Sequence, residues 1–309
     1  MRVLITGGGG FVGSRLTKAS LLKGNDVVVL DKSRGELEGY THPKMQFIQG
    51  GVEDPELVRS AVKGCDVVYY AAWSFAEKPL EGFKVDVIGF LNVIEACCDA
   101  GVKHIIFPSS SVVYGEPVTT PIAEDHPLLV ERSRAPTHAL TKLAVEKTMA
   151  IYYRERGLPF TIFRFWWAFG DERVPSGTLR KIIDSALRGE PLYVPKGASG
   201  SVLYVQDLLR AFEVTTLSER AFGKTYNLTS FNMSWKEILQ TIVDLAGSKS
   251  TVTEVEPKDW KGSGFLTGNW ILDDKRIRDD LGLIPDEDLA KKAFREALKK
   301  TIEARRSGA

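Results

Sequence analysis

The most constraining feature of the sequence is the glycine-rich stretch at residues 6–13. A short apolar run, residues 3–5, precedes it, and residues 14–23 carry apolar side chains at roughly helical spacing. The glycines therefore stand at a strand-to-helix turn, which is the context of a dinucleotide-binding βαβ unit. The alternative is a flexible glycine loop that binds no ligand.

Three of these glycines have the spacing that a bound pyrophosphate requires. Gly7 permits a tight turn, Gly10 lets the backbone approach the phosphates, and Gly13 lets the helix pack on the strand. Phe11 and Val12 open the helix, whose first N–H groups and positive dipole end attract anions. We therefore expect all five residues to bind a dinucleotide.

The second apolar run, Asp26–Asp31, reads as a buried strand that ends in a carboxylate. An acid about 20 residues beyond the glycines binds the adenosine ribose hydroxyls and repels a 2′-phosphate, so Asp31 favours NAD. Lys32 and Arg34 follow at once and would accept that phosphate, which keeps NADP as the less favoured cofactor. Alternatively, Asp31 only begins a turn.

Strands and helices alternate through the first half of the chain. We predict further strands at 45–49, 66–71, 104–108 and 160–165, and helices at 55–63, 80–100 and 137–156. Crossovers of this length imply an α/β fold with a doubly wound parallel (Rossmann) sheet. We assign residues 1–165 to the NAD-binding domain, with a returning segment near 200–230. The shorter elements of residues 166–309 form a smaller, mainly substrate-binding region.

Ligands of such sheets bind beyond the carboxyl ends of the strands. The strand ends therefore supply further candidates. For the cofactor these are Gly51, Val52, Ala71, Ala72 and Phe165, and for the substrate Trp73 and Ser111.

The overall charge excludes several classes of partner. Forty-one basic and forty acidic residues leave a net charge of +1, so neither nucleic acid nor an anionic membrane is expected. Met1 runs directly into a strand and no apolar run reaches the ~20 residues of a membrane span, so we expect a cytoplasmic protein without a signal peptide. The three cysteines and four histidines lack metal-ligand spacing, and no metal site is predicted.

Several motifs together carry a family resemblance. The glycine stretch, Asp31, the run Phe-Pro-Ser-Ser-Ser-Val-Val-Tyr-Gly at 107–115, residues 121–127, the segment around Lys142 and residues 164–170 follow one another in the order of the extended short-chain dehydrogenase/reductases. More narrowly, the chain resembles the NAD-dependent epimerase/dehydratase group typified by UDP-galactose 4-epimerase. The resemblance implies an NAD-dependent enzyme that acts on a secondary alcohol or ketone. It also implies a homodimer formed through helices 80–100 and 137–156.

The resemblance further implies a Ser, a Tyr and a Lys acting together on the substrate oxygen. Counting back four residues from Tyr114 places Ser110 on the hydroxyl position, and Lys142 falls on the lysine. In the family, Tyr is the acid or base, Lys lowers the pKa of that Tyr and binds the nicotinamide ribose, and Ser binds the reacting oxygen.

The family tyrosine is replaced in this chain. Four residues before Lys142 stands His138, on the same helix face. Three interpretations stay open. His138 replaces Tyr in proton exchange, the site binds NAD as a regulator without hydride chemistry, or another group such as Tyr114 or Glu124 serves.

The substrate motifs also depart from the family. Trp167 stands where the family has an Asn that holds the substrate pyrophosphate, and Gly200 stands in the segment that lacks the family's phosphate-binding arginine. An ordinary UDP-sugar is therefore less favoured, unless Arg173, Arg180 or Lys196 substitutes. Trp166 and Trp167 either fill the core or, with Trp73, line an apolar or aromatic pocket.

Overall fold

The computed structural model describes residues 1–76 and 78–307. In chain order the strands of this part are β1 (Arg2–Thr6), β2 (Asp26–Asp31), β3 (Met45–Gln49), β4 (Val67–Tyr70), β5 (His104–Pro108), β6 (Phe160–Arg164), β7 (Trp167–Phe169), β8 (Leu192–Pro195), β9 (Ser199–Tyr204), β10 (Lys224–Asn227), β11 (Phe231–Ser234), β12 (Val252–Val255) and β13 (Asn269–Trp270). The helices are α1 (Phe11–Leu22), α2 (Pro55–Val62), α3 (Pro79–Gly82), α4 (Gly89–Ala100), α5 (Pro136–Arg156), α6 (Gly177–Leu187), α7 (Val205–Thr215), α8 (Trp235–Ala246), α9 (Lys275–Leu281) and α10 (Glu287–Arg306).

The main sheet has seven described strands in the order β10-β6-β5-β4-β1-β2-β3, and every pairing in it is parallel. β1 pairs β2 on one side, with Val3 opposite Val27, and β4 on the other, with Val3 opposite Val67. The strand order therefore reverses beside β1, where ligands bind in folds of this class. The predicted α/β fold with a doubly wound parallel sheet is confirmed.

Helices cover both faces of this sheet because its strands are apolar on both sides. On one face, Leu4, Val28 and neighbouring side chains pack against α2, α4 and α5. On the other face, Val3 and Ile5 pack against α1 and α7. Such burial produces near-continuous apolar runs in place of alternating ones.

The predicted helix 80–100 is three consecutive pieces. A π-helical turn, Phe83–Ile88, separates α3 from α4. The wide turn includes Asp86, a buried carboxylate that accepts a hydrogen bond of 2.7 Å from the Ser74 backbone N–H. Turns of this kind interrupt helices frequently at functional sites, and this one anchors the loop that follows β4.

The C-terminal region builds a second core beyond the carboxyl edge of the main sheet. β9 pairs with β7, β11 and β13, while β8 pairs with β12. Side chains from α6, α8 and α10 complete this core, which contains Trp166, Trp167, Trp235 and Phe294. β10 returns to the main sheet beside β6. Among the helices of the described residues, none is both long and apolar enough for a membrane span.

Candidate active site

One cavity of about 1010 Å³ lies beyond the carboxyl ends of β1, β4 and β5, at the upper end of the usual ~300–1,000 Å³ for ligand pockets. Its lining includes most of the residues that the sequence predicts for the site: Gly7, Gly10, Phe11, Val12, Gly13, Asp31, Ala71, Trp73, Ser110, His138, Lys142, Phe165, Trp166 and Trp167. The remaining candidates, Lys32, Gly51, Val52, Ala72 and Ser111, are not part of the lining.

The glycine loop has the close approaches that require glycine. Gly7 has φ of +67°, and a Cβ on it would lie 2.6 Å from the Ala71 carbonyl oxygen. A Cβ on Gly13 would lie 2.1 Å from the Gly7 oxygen, so the helix rests directly on the turn. Gly10 caps α1 without a side-chain hydrogen bond, and no acid stands in the first turn. The first N–H groups of α1 are thus available to a pyrophosphate.

Asp31 joins the end of β2 to this loop. Its Oδ2 accepts a hydrogen bond of 2.9 Å from Gly9 N–H, and its Oδ1 accepts one of 3.2 Å from Ser33 N–H. The two cations beside it have other contacts. Lys32 forms an ion pair with Glu53, and the Arg34 guanidinium lies 4.7 Å from the centre of the Phe47 ring.

These residues fit a dinucleotide with an unsubstituted adenosine ribose. The loop leaves a cradle that a Cβ would fill, and a carboxylate stands where ribose hydroxyls bind. Gly7, Gly10 and Gly13 would hold the pyrophosphate, and Asp31 the adenosine ribose.

His138 lies near the start of α5 and faces the cavity beside Trp73. Trp73 Nε1–H donates a hydrogen bond of 3.0 Å to His138 Nδ1. Because tryptophan only donates, Nδ1 is the acceptor, and the neutral ring carries its proton on Nε2. Burial, followed by the charges of Lys142 and Arg134, lowers the pKa of His138 to about 3. His138 is therefore neutral near pH 7 and offers Nε2–H as a donor.

Lys142 stands one helical turn beyond His138. Its ammonium donates a hydrogen bond of 2.9 Å to the Pro108 carbonyl and lies 3.6 Å from the centre of the Trp73 ring. Burial lowers the pKa of Lys142 to about 7, although the nearby carboxylate of Asp86 favours the charged form. Lys142 is thus an amine that both gains and loses a proton near neutral pH.

The two neighbouring serines are placed differently. Ser110 lines the cavity, and its Oγ accepts a hydrogen bond of 3.3 Å from Val112 N–H, so its O–H can donate to a ligand. Ser111 is fully buried, and among the described residues its Oγ has no hydrogen-bond partner. The position of Ser111 does not support its expected contact with substrate.

Tyr114 and Glu124, the alternative acid or base groups, are outside the cavity lining. Tyr114 is fully buried and donates a hydrogen bond of 2.7 Å to Asn227 Oδ1, and burial raises the pKa of its phenol to about 12. Glu124 accepts a hydrogen bond of 2.9 Å from Asn227 N–H. Both side chains serve packing between β10 and the loop that follows β5, so this geometry argues against their use in proton exchange.

A buried ion pair supports the floor of the site. Arg164 Nη2 lies 2.5 Å from Glu146 Oε2, and both side chains are almost fully buried. Ser109, which lines the cavity, donates a hydrogen bond of 2.5 Å to the same carboxylate. The pair therefore connects α5, which carries His138 and Lys142, to β6 and to the end of β5.

Trp166 and Trp167 combine the two roles that the sequence leaves open. They are 5% and 6% exposed and belong to the C-terminal core, where the ring of Trp167 stacks on that of Trp235 at 5.9 Å. Both also line the cavity. They form an aromatic wall between the site and the second core.

Arg134 and Phe75 are among the lining residues that the sequence did not predict. Arg134 precedes α5, and Phe75 stacks on the His138 ring with centroids 5.4 Å apart. Phe75 lies in the loop after β4 with φ of +52° and is 74% exposed. Neither belongs to a motif. The available signal for Arg134 was its position two residues before the helix that carries His138.

Known proteins are similar to this chain in both sequence and fold. A model of the NAD dependent epimerase/dehydratase family matches residues 3–229. The chain belongs to this family. It is therefore an enzyme of the NAD-dependent epimerase/dehydratase type, and the predictions of this activity class and of NAD as its cofactor are confirmed. Membership also counts against the interpretation as a regulator without chemistry.

Individual relatives extend this similarity over most of the chain. The UDP-glucose 4-epimerase of Corynebacterium glutamicum is 34% identical over 313 residues, covering 93% of this chain and 91% of that protein. That of Lactobacillus helveticus is 32% identical over 206 residues, so this chain spans only 61% of its length. The crystal structure of the Thermus thermophilus UDP-glucose 4-epimerase complex with NAD superposes with a TM-score of 0.77 and 26% identity, covering 100% of both chains.

Proposed function

We propose that this enzyme oxidises and reduces a secondary alcohol or ketone at the cavity, either within an epimerase or dehydratase cycle or as a net reaction. The supporting observation is that Ser110, His138 and Lys142 line the same cavity as the glycine loop. The relatives named above are UDP-glucose 4-epimerases, so a sugar nucleotide is the first substrate class to test. The aromatic wall indicates a modified pocket.

NAD supplies the group that accepts a hydride and returns it. Ser110 O–H orients the reacting oxygen by a hydrogen bond, and His138 Nε2–H donates a second one, which stabilises negative charge on that oxygen. Lys142 takes the proton that leaves the hydroxyl, because its pKa of about 7 lets the neutral amine form at physiological pH. It also holds the ribose.

This assignment revises the role expected for His138. A base would need a free nitrogen lone pair, and the hydrogen bond from Trp73 occupies the one on Nδ1. With its pKa lowered to about 3, the ring is also a weak base. We therefore assign it the role of a hydrogen-bond donor and assign proton exchange to Lys142.

The test compares His138→Ala with His42→Ala, a matched control whose ring lies outside the cavity lining. Turnover is measured for a panel of sugar nucleotides, and NAD affinity by calorimetry. We expect His138→Ala to lower kcat by about 10²–10³-fold, the usual loss for one oxyanion donor, with NAD affinity unchanged. Undiminished turnover would remove His138 from the mechanism, whereas failure of the wild-type protein to bind NAD would overturn the proposed function itself.

We further propose a homodimer in the cytoplasm. Apolar side chains are exposed on the helices expected at the interface, with Leu80, Ile88, Leu140 and Ile151 at 82%, 51%, 44% and 43% exposure. Light scattering after size exclusion should give twice the mass of one chain. We expect Ile151→Lys to yield monomers. Leu22→Lys, at the exposed C-terminal residue of α1, should leave the dimer intact. A monomeric wild-type protein would contradict the proposal.

A further inference from the structure

Arg134 lines the cavity from the segment that precedes α5, and Phe265, which contacts its guanidinium, also stacks on Trp166 of the aromatic wall. Building on the proposed function, we propose that Arg134 binds an anionic group of the substrate. The chemistry it fits is an oxyanion, either a phosphoryl group or a carboxylate. This residue would then determine which alcohols the enzyme accepts.

The guanidinium has no acidic partner among the described residues. Its Nη1 is completely buried and makes no hydrogen bond there. The other titratable side chains of the lining offer no free counter-charge: Lys142 is a base that carries no negative charge in either protonation state, and Asp31 accepts hydrogen bonds from the backbone of Gly9 and Ser33. Arg134 is partly buried, and a cation withdrawn from water without a counter-charge is costly, so an anionic ligand would reduce that cost.

Two aromatic rings hold the guanidinium in place. Its central carbon lies 5.0 Å from the centre of the Phe265 ring and 4.8 Å from that of the Trp270 ring. A Cβ on Gly264 would contact the Arg134 side chain at 3.5 Å, so the loop before β13 packs closely against it. Aromatic faces attract the cation but accept no strong hydrogen bond from its edges, which leaves N–H groups for a bidentate ligand.

Trp166 supplies a second, independent sign of a ligand. It is 5% exposed, it lines the cavity, and its Nε1 is a buried donor without an acceptor in the part of the chain that the structure describes. Buried donors are nearly always paired in native proteins. Two residues of the cavity lining thus carry buried donors without acceptors among the described residues, which supports a ligand rich in acceptor oxygens at this site.

The other cations that the sequence offers for binding an anionic substrate group lie outside the cavity lining, and two of them form ion pairs elsewhere. Arg173 forms an ion pair with Glu36, and Lys196 lies 3.4 Å from the carboxylate of Glu256. Neither they nor Arg180 belong to the cavity lining. Burial lowers the pKa of Arg134 to about 10, so its guanidinium is still charged at neutral pH. It is the lining cation that combines permanent charge with a free edge.

Calorimetry on the NAD-loaded protein with two matched probe pairs tests the proposal. UDP and uridine differ by the phosphoryl groups, and glucuronate and glucose by the carboxylate. We expect Arg134→Met to weaken the binding of one of the two anions by about tenfold to a hundredfold, as for a lost hydrogen bond to a charged group. The affinities for uridine and glucose should not change. Loss on UDP identifies a phosphoryl ligand, and loss on glucuronate a carboxylate.

Arg132→Met is the control, because Arg132 is exposed, precedes the same helix and lies outside the cavity lining. Arg134→Gln repeats the test if the Met variant does not fold. Wild-type binding of neither anion, or unchanged affinity for both anions in either folded variant, would overturn the proposal. NAD affinity is measured in parallel. If the wild-type protein did not bind NAD, the proposed function would be refuted. The role of Arg134 would then still be decided by the binding of UDP and glucuronate to the cofactor-free protein.

Discussion

Replacing Lys142 by methionine should change how the folding stability depends on pH. The buried amine has its pKa lowered from 10.5 to about 7 in the folded protein. Across this window the unfolded chain holds a proton that the folded chain lacks. Lower pH therefore favours unfolding, and wild-type stability should rise as the pH rises from about 7 toward 10.5.

The size of the effect follows from the shift. Each pH unit inside the window changes the free energy of unfolding by about 1.4 kcal/mol for one fully linked proton. Between about pH 7 and pH 9 the Lys142 contribution should therefore change by roughly 2 kcal/mol. Methionine fills a similar volume without titrating, so the variant should lack this contribution.

Urea unfolding of the cofactor-free protein at several pH values provides the measurement. The wild-type free energy of unfolding minus that of Lys142→Met should rise by roughly 2 kcal/mol from about pH 7 to pH 9. Lys147→Met is the control, because Lys147 is exposed on the same helix, and its curve should follow the wild type. Parallel curves for Lys142→Met and the wild type would refute both the burial of a neutral amine and its assigned role as proton acceptor.

Three further substitutions test the rest of the site. Gly13→Ala places a Cβ 2.1 Å from the Gly7 oxygen, so it should weaken NAD binding and lower the folding stability by about 1–3 kcal/mol. An unchanged NAD affinity by calorimetry and an unchanged melting temperature would contradict the tight turn. Asp31→Ser removes the charge that repels a 2′-phosphate, so the ratio of NADP to NAD affinity should rise by about tenfold, and a constant ratio would argue against this role of Asp31. Glu146→Gln leaves the buried Arg164 without its counter-charge and should lower the urea-measured stability by about 3–5 kcal/mol, whereas a loss under about 1 kcal/mol would show that the pair is dispensable.

The main sheet was predictable because its signals are local. The strands at 26–31 and 104–108 lie within the predicted bounds, since each is a short apolar run that is buried on both faces. The strand at 45–49, at the edge of the sheet, also lies within its predicted bounds. The turn at Gly7 was predictable for a similar reason, because spacing and flanking patterns determine it. The π-helical turn Phe83–Ile88 was missed, since its apolar pattern resembles that of an uninterrupted helix.

The chemistry of the site depends on contacts that no local pattern encodes. His138 is recognisable from its place one turn before Lys142, but its tautomer is determined by Trp73, a residue 65 positions away. Arg134 gains its significance only when the loop that carries Phe265 packs against it from the C-terminal region. The sequence can therefore indicate candidate residues, but their roles depend on long-range packing.

The site should move a hydride even though it lacks the family tyrosine. Hydride transfer is followed by the near-ultraviolet absorbance of reduced nicotinamide when NAD-loaded enzyme is mixed with each member of a sugar-nucleotide panel. We predict a rise for at least one member in the wild type and in His42→Ala, and a much slower rise in His138→Ala. If NAD binds but no substrate of the panel reduces it or is converted to product, hydride transfer at this site would be contradicted.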